Sequence, residues 1–145
     1  MKIRPRVLVL LLFPAFACAQ VVPRPYTPRY EGDPARSMSE AVALGYIKTV
    51  QNAQSDHKKR RGRYAGSLAA LVNYGSFTRR MSRPDRRDYT VTFRGGAGGY
   101  SVQMIPKVFE STRRSFYSDQ GGTVRVAEDQ PATAESPILK PDSSE

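Results

Sequence analysis

The chain has 145 residues, with 23 Lys and Arg against 13 Asp and Glu, a formal charge of +10, one cysteine and one histidine. One cysteine excludes a disulfide-stapled scaffold and thiolate metal clusters, and one histidine among scattered acids cannot supply the ligands of a zinc site. A positive field of this size favours polyanions such as DNA, anionic lipid or acidic glycan as partners, and it is silent on fold.

In chain order, Lys2, Arg4 and Arg6 precede an unbroken apolar run over residues 7–13, Pro14 breaks the run, and Ala17-Cys18-Ala19 supplies a small-x-small pattern. These features predict a signal peptide over residues 1–19, cleaved between Ala19 and Gln20. The apolar run is far shorter than the ~20 residues of a membrane-spanning helix. The mature chain is therefore expected to carry no transmembrane helix and to be periplasmic or secreted. In an alternative, Cys18 is acylated and anchors a lipoprotein, although an aliphatic residue is usual where Ala15 stands. Residues 20–36 contain Pro23, Pro25, Pro28 and Pro34 with no hydrophobic period, which predicts a semi-rigid proline-rich spacer.

Ser37-Met38-Ser39-Glu40 has the spacing of a capping box. The helix it opens is predicted to reach Lys59 or Arg60, with Ala43, Tyr46, Ile47, Val50, Gln54 and His57 on one face and Lys48, Thr49, Ser55 and Asp56 on the other. Gly45 weakens such a helix, and a close packing contact would explain it. Gly62 ends it, and the basic residues just before suit the negative end of the helix dipole. Ser67 is expected to cap a short second helix over residues 68–72, and residues 78–88 read as an exposed basic loop.

The period then changes to two. Tyr89, Val91 and Phe93 alternate with polar residues, the glycine-rich stretch 95–99 turns the chain, and Tyr100, Val102 and Met104 alternate again. Residues 113–118 and 123–126, joined by Asp119-Gln120-Gly121-Gly122, complete two hairpins. The expected domain, residues 37–126, is α+β: a long N-terminal amphipathic helix packed on a four-stranded antiparallel sheet. Residues 127–145 are acidic and are expected to be mostly disordered, with Ile138-Leu139 as an apolar anchor.

The order of these elements resembles the globular head of type IV pilins and type II secretion pseudopilins. The strings carrying the resemblance are Glu40-Ala41-Val42, Ile47-Lys48-Thr49-Val50-Gln51-Asn52-Ala53-Gln54, Gly62-Arg63-Tyr64 leading into Ser67-Leu68-Ala69-Ala70-Leu71, Gly99-Tyr100-Ser101-Val102 and the run from Ser115 to Gly122. The resemblance implies a pilin-like head and a structural or interaction role among envelope proteins, beside a type II secretion or type IV pilus system. The prepilin peptidase site and long apolar helix of those families have no counterpart here, so no pilin assembly residue is carried over.

No catalytic residue, metal site or cofactor is expected, and the chain does not read as an enzyme. His57 has no nucleophile motif to serve, and the glycine run lies between two alternating strands, where phosphate-binding loops are not found. Two basic clusters remain as candidate polyanion-binding residues: Lys58, Lys59, Arg60, Arg61 and Arg63, then Arg79, Arg80, Arg83, Arg86 and Arg87. If the chain brings both to one end of the domain they form a single patch, with Tyr64 and Phe77 available for stacking. The simpler reading of the same residues is a solvated basic surface.

Overall fold

The computed structural model describes residues 25–141. The signal sequence, the Ala19-Gln20 cleavage site and Cys18 lie outside the described residues, as do the first part of the expected spacer and the end of the tail. Helix α1 spans Met38–Arg61, 24 residues, or roughly 36 Å. Ser37 Oγ accepts the Glu40 N–H at its start, and Gly62, at φ 74, closes its end by donating to the Lys58 carbonyl. Ala43, Tyr46, Ile47, Val50, Ala53, Gln54 and His57 are buried along one stripe. Among the described residues, no helix is long and apolar enough to cross a membrane.

Five strands follow: β1 Asp85–Arg86, β2 Tyr89–Gly96, β3 Gly99–Pro106, β4 Ser115–Asp119 and β5 Val124–Ala127. They form one antiparallel sheet in the order β1-β2-β3-β4-β5. The expected architecture, a long N-terminal helix on a four-stranded sheet in the manner of a pilin-like head, is thus corrected by a fifth strand. That strand lies inside residues 78–88, read from sequence as a loop. It has only two residues, too few to show a period, and it is held because Arg86 pairs with Tyr89 and Pro84 O accepts the Val91 N–H. The expected second helix is a single 3₁₀ turn, Ala69–Leu71, with Ser67 Oγ accepting from Ala70 N–H. A second 3₁₀ turn covers Arg79–Ser82.

Register explains the core. Val91 faces Met104, Phe93 faces Val102, and Met104, Phe116 and Val126 continue across the sheet on the same side. This face meets Tyr46, Ile47 and Val50 of α1, with Leu71 and Phe77 closing one flank. Each fully buried large side chain there contributes about 1.5–3 kcal/mol. At the hairpin tip Gly95 is required by crowding: a Cβ would lie 2.5 Å from Ala65 O. Gly45, by contrast, has nothing within 4 Å of where a Cβ would be, so no packing contact accounts for it.

Two buried carboxylates, Glu40 and Asp33, organise the segment that leads into α1. Glu40, fully buried, receives both the backbone N–H and Nε of Arg114 on Oε1 (2.9 Å each), and Nη2 of Arg114 and the Arg36 N–H on Oε2 (2.8 Å each). Burial alone would lower the Arg114 pKa; the hydrogen bonds and charge of Glu40 more than reverse it. Asp33, also buried, accepts from the Tyr26 hydroxyl, Arg29 N–H and Ala35 N–H. Asp33 thus closes residues 26–35 on themselves, and Arg114 Nη2 donating to Pro34 O and Arg29 donating to Met38 Sδ hold that segment, the end of what read as a spacer, against the domain. The tail is likewise seated where disorder was expected. Ala132 is fully buried between Gln103 and Ser115, Val126 N–H donates to Pro137 O, and Leu139 N–H donates to Val124 O. These bonds cover the outer edge of β5, which would otherwise present unpaired backbone groups.

Candidate anion-binding surface

The candidate basic residues separate into two groups set at different heights along α1. Arg80, Arg83, Arg86 and Arg87 surround a groove that also includes Val42, Met81, Asp85 and Lys107, with a volume near 600 Å³. Val42 is in the second turn of α1, whereas Lys58–Arg61 close the helix, about 24 Å further along the axis from Val42 to Lys58. The single patch envisaged from sequence is therefore two surfaces. Phe77, a proposed stacking ring, is 2% exposed and belongs to the core.

At the helix end the cations are engaged locally. Lys58 Nζ lies 4.4 Å from the Tyr64 ring centroid and donates to Tyr64 Oη. Arg60 pairs with Asp56 at 3.1 Å and lies over the Tyr74 ring. Arg61 Nε donates to Tyr74 Oη at 2.8 Å, which raises the arginine pKa further. Lys59 and Arg63 are exposed. His57 Nδ1–H donates to the Arg63 carbonyl at 2.8 Å while its ring packs on Tyr74 at 4.7 Å. That histidine fixes the turn after α1. Gln54 does the same one turn earlier, exchanging two hydrogen bonds with the backbone of Ala65.

The groove cations are held differently. Tyr46 Oη donates to Met81 O at 2.8 Å, and Arg86 stacks over the Tyr46 ring at 4.9 Å. Burial pushes the Tyr46 hydroxyl up to about 12 against the pull of the Arg86 cation. Ser39 Oγ donates to Asp88, and Lys107 pairs with Asp85 at 2.6 Å. The β1–β2 hairpin is thus fastened to α1 through its core-facing side, leaving Arg80, Arg83 and Arg87 exposed. Among the described residues, none of Arg79, Arg80, Arg83, Arg86 and Arg87 lies within salt-bridge distance of a carboxylate.

Arg87 carries a second signal. It opens the two-residue loop between β1 and β2 with φ at +59°, a conformation favourable to Gly or Asn and costly for arginine. Beside it an apolar slot of about 70 Å³ is lined by Met38, Val42, Ala43, Tyr46, Tyr89 and Met104 among others. Lys107, Met38 and Val42 were missed as members of this surface from the sequence, because only the fold brings them beside the arginines.

Among the described residues there is no group of three His, Cys, Asp or Glu side chains placed to hold a metal ion. No protein-family model, no curated protein and no solved structure matches this chain, so the chemistry of the surface is read from its own residues.

Proposed function

We propose that the protein is an exported, non-enzymatic binding module that holds a polyanion in the groove between α1 and the β1–β2 hairpin. The observation that carries this reading is the convergence of arginines on one concavity. Lys58, Arg60 and Arg61 are engaged by Tyr64, Asp56 and Tyr74 along the end of the helix, and Arg86 is held over Tyr46, but Arg80, Arg83 and Arg87 are exposed around a single groove without carboxylate partners. Assembling unpaired like charges costs free energy through self-repulsion, and a bound polyanion offsets that cost. A structural place beside a secretion or pilus system rests on the sequence strings alone.

A salt titration with a labelled DNA duplex, used as a generic polyanion, tests the reading. If the four groove arginines each displace one counterion, affinity falls about 100-fold between 50 and 200 mM salt. A flat salt response would sink the proposal.

A further inference from the structure

We infer that the polyanion is a phosphate-bearing anionic lipid surface, met by this face of α1 and the β1–β2 hairpin with the arginines at the headgroups and Met38 and Val42 at the apolar boundary. The inference rests on the groove being the binding surface and adds the class of partner. Met38 and Val42 are 58% and 48% exposed, and their four-residue spacing places them one above the other on the helix. Both line the apolar slot that Arg86 and Arg87 also border, and Val42 also lines the arginine groove itself. Scattered exposed apolar residues need no explanation, but two stacked beside a cluster of cations form the two-part surface that binds anionic membranes: charge for the headgroups and apolar area for the boundary beneath them. Lys107, with Val108 at 57% exposure next to it in the chain, repeats the combination at the end of β3.

Nucleic acid fits less well. Binding of single strands draws on exposed aromatic rings on which bases stack. The rings nearest the arginines, Tyr46, Phe77 and Tyr89, are 3%, 2% and 2% exposed. The surface offers methyl and thioether groups where a base-binding surface needs flat ones. The strained backbone at Arg87 is in keeping with a placed contact, because asparagine would relieve the loop and lose the charge.

Vesicle flotation of the exported chain tests this, with phosphatidylcholine alone and with a quarter phosphatidylglycerol, alongside the DNA duplex and with circular dichroism to verify folding. The wild type should float with the anionic vesicles and not with the neutral ones. Met38→Gln/Val42→Gln, which keeps helix-forming residues at exposed positions, should weaken vesicle binding at least tenfold, and Met38→Gln alone, which lies outside the arginine groove, should weaken vesicle binding and leave DNA binding unchanged. Arg83→Gln/Arg87→Asn should weaken both while melting no lower than wild type. Equal flotation with neutral vesicles, or unchanged flotation of Met38→Gln/Val42→Gln, overturns the lipid inference. DNA binding without vesicle binding overturns it while the polyanion groove stands, and the absence of both removes the groove as well.

Discussion

The Glu40–Arg114 pair is the most consequential interaction to break. Replacing Arg114 with Leu leaves the Glu40 carboxylate fully buried with two backbone donors, the N–H groups of Arg36 and residue 114, where it had four hydrogen bonds. Replacing Glu40 with Gln keeps one carbonyl acceptor but removes the counter-charge from the Arg114 side chain, which is 7% exposed and otherwise donates to Pro34 O. Removing one partner of a buried pair costs about 3–5 kcal/mol, against a total stability of about 5–15 kcal/mol for a domain. Each single variant should therefore melt on the order of 10–20 °C lower. The double variant Glu40→Met/Arg114→Leu removes both charges together and should recover most of that loss, since an apolar replacement of a buried pair is often neutral or stabilising. Urea unfolding of the wild type, both singles and the double, followed by far-ultraviolet circular dichroism, gives the coupling directly. Single variants costing under about 1 kcal/mol, or a double variant as unstable as the two singles summed, would refute the pairing.

Three further outcomes follow from the packing and the charges. Gly95→Ala should destabilise by about 1–3 kcal/mol through overpacking, since its Cβ would meet Ala65 O at 2.5 Å; a thermal melt unchanged from wild type would contradict the close approach. Gly45→Ala meets nothing within 4 Å and should stabilise α1 by up to about 1 kcal/mol, read as a higher urea midpoint. For Asp33, burial alone would push the carboxyl pKa up, but hydrogen bonds from Arg29 N–H, the Tyr26 hydroxyl and Ala35 N–H outweigh it and hold the pKa below its ordinary value. A folded pKa below the unfolded one gives stability that is present above the unfolded value, about 3.9, and is lost as pH falls through the folded value. The stability gap between wild type and Asp33→Asn should accordingly be full at pH 6 and shrink as pH falls below about 4; a gap independent of pH would show that Asp33 is not ionised in the fold.

The features legible in the sequence are those with a period. The stripe Ala43, Tyr46, Ile47, Val50, Gln54 and His57 repeats at helical spacing because one face of α1 is buried, and Tyr89, Val91, Tyr100, Val102 and Met104 alternate because one face of the sheet is. What escaped is held by single polar residues acting over long separations. Glu40 reads locally as the third residue of a capping box, and nothing near it announces a partner 74 positions away. Two-residue β1 has no alternation to show, and its loop begins with Arg87 where glycine or asparagine would have signalled a hairpin. The same applies to the tail, whose acidic, proline-containing composition masks the fully buried Ala132; of the apolar pair read there as an anchor, Leu139 packs against the core and Ile138 is exposed. The candidate surface was half legible: arginine content marks residues 79–87, but Met38, Val42 and Lys107 join them only through the folding of the hairpin against α1.

The most direct test of the groove sets the two basic clusters against each other. Arg80→Glu/Arg83→Glu and Lys58→Glu/Lys59→Glu lower the net charge by the same amount, so they weaken general attraction equally while striking different surfaces. Binding of each to the labelled DNA duplex and to anionic vesicles at fixed salt isolates the site from the overall field. If the groove is the binding surface, the arginine variant loses at least tenfold in affinity and the lysine variant stays within about threefold of wild type, a difference of about 0.7 kcal/mol or less at kT scale. Equal losses from both variants would contradict a dedicated site and return the arginines to a solvated basic surface.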